Sequence, residues 1–239
     1  MPGAIRRAEA ALTGSYSMTA STHSGESVET IRVFRRESPI KVLGPHDRAA
    51  IWVQGCTFQC PGCIVPESWD PAGGWSVRIE DLAAWVLLQP GIEGVTLSGG
   101  EPMSQAAGLT RLVDRIRESR DLGVMCYTGF ALGFLRERGD SAQRGLLDRI
   151  DLLIDGVYLE EQHDDLLWRG SRNQKLNLLT RRYEKTVSDV LRDHGDRSAG
   201  VEVVFDEQGA IGIAGVPSKP RFREAFVERM RAHNIRLSR

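Results

Sequence analysis

The chain has 239 residues, a hydrophobic content of 41%, a charged content of 26% and a formal net charge of −1 at pH 7. Its length is about 1.6 times that of a ~150-residue domain, so one domain with extensions is expected. No stretch approaches the ~18 apolar residues of a membrane span, which excludes a transmembrane protein. The nearly neutral charge argues against nucleic-acid or membrane binding through bulk positive charge.

The first 28 residues differ in composition from the rest of the chain. They are rich in Ser, Thr, Ala and Gly and contain almost no bulky apolar side chains, which predicts a disordered N-terminal tail over residues 1–28. The tail also lacks the apolar run of a signal peptide. A cytoplasmic location is therefore expected.

Short apolar runs alternate with amphipathic stretches from residue 30 onward, the pattern of alternating strands and helices. Strands are predicted at 31–33, 50–53, 94–97, 124–127 and 151–154, and helices at 79–89, at 109–116 and within 131–149. This order predicts an α/β fold in which helices pack outside a parallel sheet and site residues lie at the carboxyl ends of strands.

The last sixty residues have a different pattern. Residues 201–205 and 211–213 flank a Gln208-Gly209 turn and predict a β-hairpin. An amphipathic closing helix follows, and its charged side chains, Arg221 and Arg223 among them, are expected to form a solvated face. The prediction is a core domain over residues 29–180 with a C-terminal extension over 181–239 packed on it.

Three of the four cysteines lie within eight residues, as Cys56, Cys60 and Cys63 in a C-x3-C-x2-C pattern. This clustering is unlike a disulfide scaffold, and no second paired element follows to complete a structural zinc site. A four-iron cluster held by three cysteines keeps one iron open to an exogenous ligand. The loop is therefore interpreted as a catalytic metal centre, whereas Cys126 is expected to be a small buried hydrophobe in a strand.

A second motif, Ser98-Gly99-Gly100-Glu101-Pro102, follows the predicted strand at 94–97. The two motifs together resemble the radical S-adenosylmethionine (radical SAM) superfamily, and further stretches resemble its small glycyl-radical-enzyme activating proteins. These stretches span residues 44–177 and are Trp52–Cys56, Cys60–Cys63, Glu67–Trp69, Leu97–Pro102, Tyr127–Phe130, Leu153–Gly156 and Leu167–Gln174.

The resemblance implies a partial (β/α)6-type radical SAM barrel, here with a C-terminal β-hairpin and helix. It implies that Cys56, Cys60 and Cys63 hold a [4Fe-4S] cluster and that S-adenosylmethionine chelates the fourth iron. One electron, from a reduced flavodoxin or a ferredoxin-like donor, then yields methionine and a 5′-deoxyadenosyl radical. This radical abstracts hydrogen from a glycine Cα of a partner glycyl-radical enzyme.

The resemblance also implies a set of contacts with S-adenosylmethionine. The expected residues lie in the cysteine loop, the glycine-rich turn and two strand ends: Gly62, Ser98, Gly99, Gly100, Glu101, Pro102, Tyr127, Thr128 and Asp155. Glu101 has the alternative role of stabilising a helix N-terminus, and the strand-end residues have the alternative of ordinary turns. Val157 replaces the basic residue that relatives often carry after Asp-Gly.

Several alternatives stay open from the sequence. Trp168–Gln174 is either a partner-recognition loop or a buried tryptophan beside a salt-bridged arginine, and His163 is expected in a solvated polar loop. An enzyme on the same scaffold that acts on a small molecule or peptide is the alternative function. An iron–sulfur or zinc protein for electron transfer or regulation is a third, and the glycine-rich motif argues against it.

Overall fold

The computed structural model describes residues 29–205, 211–233 and 235, so the predicted tail and the Gln208-Gly209 turn lie outside the described residues. The strands are β1 Thr30–Ile40, β2 Arg48–Val53, β3 Trp75–Arg78, β4 Gly94–Gly99, β5 Gly123–Thr128, β6 Leu152–Asp155, β7 His163–Leu166, β8 Arg169–Ser171, β9 Lys175–Leu178, β10 Gly200–Phe205 and β11 Ile211–Val216. The helices are α1 Ile79–Leu87, α2 Ala106–Arg117, α3 Leu132–Arg138, α4 Ser141–Leu147, α5 Glu184–His194 and α6 Phe222–Ala232. Within this part of the chain, no helix has both the length and the apolar character needed to cross a membrane.

A seven-stranded sheet in the order β3-β1-β2-β4-β5-β6-β9 organises the fold. The four strands β2, β4, β5 and β6 are parallel, which confirms the predicted α/β class, and Leu97 pairs with Ile51 on one side and Cys126 on the other. The flanking strands run antiparallel to their neighbours, so the prediction of a parallel sheet is correct only for its centre. The short connection from β1 to β2 explains the first case, because parallel strands need a longer crossover.

Successive residues of the central strands supply the cores on the two faces of the sheet, as the two-residue repeat of a strand requires. Cys126 is fully buried in the cluster that includes α1, α2 and α4, which confirms its predicted place in the core. The preceding Met125 points into a second cluster with Trp168 and Tyr183. Helix α2 buries the apolar face predicted from its spacing, including Leu109 and Leu112.

The structure differs from the predicted helices in two places. The single helix predicted within 131–149 is two helices, because α3 ends at Arg138 and Asp140 caps α4 through a capping box with Gln143. Helix α5 was not predicted, although Val187 on it is buried in the second core cluster. The hairpin of β10 and β11 and the closing helix α6 lie where the sequence placed them.

Arg48, at the start of β2, is fully buried. Its guanidinium donates to Thr96 Oγ1 at 2.6 Å, Tyr183 Oη at 2.9 Å and the carbonyl oxygens of Pro45 at 2.8 Å, Val95 at 2.7 Å and Gly123 at 3.1 Å. All five acceptors are neutral oxygens. Because they belong to β4, β5 and Tyr183 among others, the Arg48 side chain joins β2, β4 and β5 to the residue before α5. This contact lies at the end of the sheet opposite the carboxyl ends of the parallel strands.

Candidate functional site

The cysteine loop leaves the carboxyl end of β2 and is tied to the segment that follows it. Gly55 N donates to Ser68 O at 2.7 Å, and Cys56 N donates to Trp69 O at 3.0 Å. The side-chain amide of Gln54 also donates to Glu67 O at 3.0 Å. These bonds fix the start of the loop against its end, so the three cysteines lie on a closed and anchored loop.

All three loop cysteines are free, partly buried and part of the lining of one open cavity. The cavity is open to solvent, and its empty volume of about 1040 Å³ includes the solvent space at its mouth. Burial raises the pKa of the Cys60 and Cys63 thiols. Metal ligation offsets this effect, because a bound cation stabilises the thiolate form.

The glycine-rich turn at the end of β4 packs directly against the root of the cysteine loop. Gly100 N donates to Val53 O at 2.8 Å, and Glu101 N donates to Gly55 O at 2.8 Å. Gly99 has a φ of +100°, and a Cβ at Gly100 would collide with the Gly55 backbone. The glycines therefore serve a close approach of two backbones, one of the roles for which glycine is required.

The change Gly100→Ala should disrupt this contact. We expect a loss of about 1–3 kcal/mol in the free energy of unfolding, because the new methyl group meets backbone atoms that cannot move aside. Denaturant unfolding of the purified protein measures this effect. Gly133→Ala is the matched control, since a Cβ there meets no atom within 4 Å on an exposed position of α3. Equal stability of the two variants would contradict the expectation.

Glu101 is buried, at 1% exposure, and lies between the ends of β4 and β5. Its Oε1 accepts from Met103 N and Thr128 Oγ1, both at 2.8 Å, and its Oε2 accepts from Gly129 N at 2.8 Å. Burial raises its pKa despite these three hydrogen bonds. Glu101 thus caps the short 3-10 helix Pro102–Gln105, the alternative considered from the sequence, and also lines the cavity.

The change Glu101→Gln should lower the free energy of unfolding by about 1–3 kcal/mol. The Met103 and Gly129 N–H groups donate to different carboxylate oxygens, so in the glutamine variant one of them must face an amide NH₂ group. The cost should depend on pH. A raised pKa in the folded state means that the wild-type protein loses stability as pH rises from the ordinary value of 4.5 through the folded value. The difference between the wild type and Glu101→Gln should therefore shrink with rising pH, as measured by denaturant unfolding of the cluster-free chain. A difference that grows with pH would contradict this sign.

Every predicted site residue except Pro102 and Asp155 lines the cavity. Pro102 is buried at the start of the 3-10 helix. The Asp155 carboxylate accepts from Leu132 N at 2.6 Å and Asn177 Nδ2 at 3.0 Å, so its oxygens serve the start of α3 and strand β9. Among the strand-end residues, Tyr127 has a buried hydroxyl that forms no hydrogen bond with any described residue. This hydroxyl can therefore bind a ligand.

The far wall of the cavity comes from residues that follow β6, including Tyr158, His163, Trp168 and Gln174. Trp168 is buried and Arg169 pairs with Asp196, so the buried alternative for this segment is the correct one. His163 was expected in a solvated loop, yet it lines the cavity and its Nδ1 lies 3.1 Å from Tyr158 Oη. The Trp-Arg-Gly-Ser-x-Asn-Gln stretch was the sequence signal for this wall.

A further side of the cavity comes from the C-terminal part of the chain. Residues 215–217 and 221–223, with Lys219, line it beside the cysteine loop. The sequence placed these residues in an extension and did not connect them with the site. In the part of the chain that the structure describes, no three His, Cys, Asp or Glu side chains converge as ligands of a single metal ion. The three cysteine thiols line one cavity without converging on a single point. This arrangement fits a four-iron cluster, because such a cluster binds each thiolate through a separate iron.

Comparison with known proteins gives a consistent result. The model of the family described as "4Fe-4S single cluster domain" matches residues 42–177. Anaerobic ribonucleoside-triphosphate reductase-activating proteins are similar to the chain, at 37% identity over 151 residues for Vibrio cholerae, covering 59% of this chain and 95% of the relative. The Haemophilus influenzae protein is 36% identical over 143 residues, covering 56% and 88%. The Escherichia coli K12 protein is 33% identical over 150 residues, covering 59% and 95%.

Proposed function

The chain belongs to the 4Fe-4S single cluster domain family, and on that premise we propose that it is a radical SAM enzyme that activates an anaerobic ribonucleoside-triphosphate reductase. The cofactors are a [4Fe-4S] cluster and S-adenosylmethionine. The substrate is the partner glycyl-radical enzyme, from which a hydrogen atom is removed at a glycine Cα.

The observation that carries this proposal is the convergence of the cysteine loop and the glycine-rich turn on one cavity. Glu101 N–H and Gly55 O join them directly, at 2.8 Å. Both segments follow carboxyl ends of parallel strands, where enzymes of this architecture place their active sites. We assign the strands β2, β4, β5 and β6 to a partial (β/α)6-type radical SAM barrel on this basis.

The assignment of domains follows the same logic. We propose a core domain over residues 29–180 and a C-terminal extension over residues 181–239. The family match supports this division, because it ends at residue 177. The extension is not independent of the core, since the Tyr183 ring is buried against it and its hydroxyl accepts from Arg48.

When bound, the cluster supplies one electron for the reductive cleavage of S-adenosylmethionine. Cys56, Cys60 and Cys63 are the proposed ligands, and all three are partly buried in the lining of the cavity. Gly62 fits a crowded place beside them, because a Cβ there would lie 3.1 Å from Tyr158 and 3.4 Å from Glu160 Oε1.

The chain's polar groups have separate proposed tasks toward S-adenosylmethionine. Ser98, Gly99 and Gly100 line the side of the cavity nearest the loop and offer backbone groups to the methionine end. Glu101 and Thr128, which are hydrogen-bonded to each other, hold the ends of β4 and β5 in place. Tyr127 lines the same cavity and keeps a hydroxyl available for a ligand.

The test is anaerobic reconstitution followed by mixing with the reductase encoded in the same genome. We expect about four irons per chain, formation of 5′-deoxyadenosine with a reductant, and a glycyl-radical doublet in the electron paramagnetic resonance spectrum. A reductase in which the radical-site glycine is replaced by alanine is the control and should give no doublet. Cleavage without a doublet would favour a small-molecule or peptide substrate, and one tightly bound zinc without cleavage would oppose both functions.

The electron donor and the compartment also belong to this proposal. We expect a reduced flavodoxin or a ferredoxin-like protein to deliver the electron. All four cysteines are free, which suits a reducing compartment such as the cytoplasm. Replacing the chemical reductant by reduced flavodoxin in the reconstituted mixture tests the donor.

A further inference from the structure

The cavity has a wall that lies outside the family match. We define the C-terminal wall as residues 215–223, most of which line the cavity. The family match ends at residue 177. The Vibrio cholerae relative is covered over 95% of its own length while the match takes up only 59% of this chain. The C-terminal wall is therefore an addition of this chain to the family domain.

The first end of the C-terminal wall is firmly attached to the core. It continues strand β11, in which Ile213 and Ala214 are buried. Arg35 Nη2 donates to Ile213 O at 2.7 Å, and the Arg35 guanidinium also stacks over the Trp52 ring at 4.2 Å. Ala214 packs in the core cluster that contains Trp52. The wall thus begins at a fixed point beside β2.

The other end depends on charged contacts. Helix α6, which begins inside the wall at Phe222, has no buried residue. Arg221 Nε donates to Glu160 Oε1 at 3.0 Å, and Arg223 forms an ion pair with Glu67. Phe222, Phe226, Val227 and Met230 of α6 are only half-buried. The two arginine contacts add a fixed geometry to this packing and so help to set where the end of the wall lies.

The two glutamates both lie next to the cysteine loop. Glu160 packs against Gly62, whose Cβ would lie 3.4 Å from Glu160 Oε1. Glu67 follows the loop in the segment that binds Gly55 and Cys56. The Arg223 and Glu67 side chains are only 25% and 29% exposed, so that pair is shielded from solvent more than a surface pair.

We propose that Arg221 and Arg223 are positioning residues that hold the C-terminal wall across the cofactor cavity and thereby restrict access to Cys56, Cys60 and Cys63. The inference rests on the proposed function only for the identity of the cofactor. The wall shields the loop cysteines whether or not a cluster is bound. An arginine fork suits this task, because it stays charged and binds a carboxylate with fixed geometry.

The first experiment uses the full-length, cluster-free protein and iodoacetamide, with each cysteine followed by mass spectrometry. In the double variant Arg221→Gln/Arg223→Gln, we expect the loop cysteines to be labelled about 3–10 times faster, because local opening controls access. The matched control Arg229→Gln/Arg231→Gln removes the same charge from exposed positions of helix α6 and should leave the rates unchanged. Equal acceleration in the two double variants would overturn the proposal.

Two further measurements exclude a loss of folding as the cause. Cys126 is fully buried, so its labelling rate reports global opening, and each loop rate is taken relative to it. The variant Arg221→Lys/Arg223→Lys keeps both charges but not the fork geometry and should recover only part of the protection. No change in the relative loop rates of Arg221→Gln/Arg223→Gln contradicts a shielding role.

The second experiment uses the reconstituted protein and measures iron transfer to a ferrous chelator under anaerobic conditions. Release should be faster in Arg221→Gln/Arg223→Gln than in the wild type or in Arg229→Gln/Arg231→Gln. High salt should accelerate release from the wild type less than the double substitution does, because it screens the exposed Arg221–Glu160 pair but acts much less on the shielded Arg223–Glu67 pair. If the chain binds no cluster, the proposed function fails, while the labelling experiment still decides whether the wall exists.

Discussion

Replacing Cys56, Cys60 or Cys63 by serine should abolish the proposed iron centre. We expect the iron content of the reconstituted protein to fall from about four per chain to near zero and the cleavage of S-adenosylmethionine to fall by more than ~100-fold, since even the loss of a partner behind a ligand costs 10–100-fold. The physical reason is that the loop offers three proposed ligands. No fourth cysteine lines the cavity, so none can replace a thiolate that is lost. Iron analysis and quantification of 5′-deoxyadenosine measure the two effects.

Cys126→Ala is the control for this series. Cys126 is fully buried and burial raises the pKa of its thiol well above the ordinary value, so it is a poor metal ligand. We expect the variant to keep its iron and its activity and to lose about 1 kcal/mol of stability through the small cavity left behind. A cluster that survives in Cys60→Ser but not in Cys126→Ala would refute the assignment of the loop.

Arg48→Met should produce the largest loss of stability. It removes the donors for Thr96, Tyr183 and three carbonyl oxygens in a place with no exposure to solvent. We expect a loss of about 3–5 kcal/mol, because several buried acceptors lose their donor at once and each unsatisfied buried group costs about 1–3 kcal/mol. The melting temperature should fall by about 6–20 °C, at ~2–4 °C per kcal/mol for a chain of this size. Circular dichroism of the cluster-free protein measures both.

Arg111→Met and Arg48→Lys complete this comparison. Arg111 is 56% exposed and pairs with Glu29, so its loss should change stability by no more than about 0.5 kcal/mol. Arg48→Lys keeps the charge but offers three donors in place of five, and its stability should lie between that of the wild type and that of Arg48→Met. A loss of less than about 1 kcal/mol in Arg48→Met would show that solvent or neighbouring groups replace the guanidinium.

Helix α2 and the glycine-rich turn could be predicted because the sequence signals for them are local. The spacing of Leu109, Leu112 and Ile116 indicates one face of a helix, and the structure has α2 there. The glycine-rich turn was expected to permit close backbone approach, and Gly100 indeed lies against Gly55. In each case, the residues that determine the structure are close together in the sequence or belong to a motif.

The features that could not be predicted depend on partners far apart in the chain. Arg221 is solvated as expected, at 74% exposure, but its partner Glu160 lies 61 positions away. Arg223 was expected on the same solvated face, yet it is only 25% exposed and pairs with Glu67, 156 positions away. Asp155 was expected to face the cofactor, but Asn177, 22 residues later, takes up one of its oxygens. Local patterns give the type of a side chain and its element but not which distant group will meet it.

The backbone hydrogen bonds around Gly55 have a consequence for how the enzyme matures. Gly55 N to Ser68 O, at 2.7 Å, and Glu101 N to Gly55 O, at 2.8 Å, are contacts between protein groups and need no metal to form. In zinc fingers, by contrast, metal binding and folding are one event. The loop is therefore anchored by protein contacts of its own, and we expect the cluster-free chain to fold and to hold the loop in place for a cluster to enter.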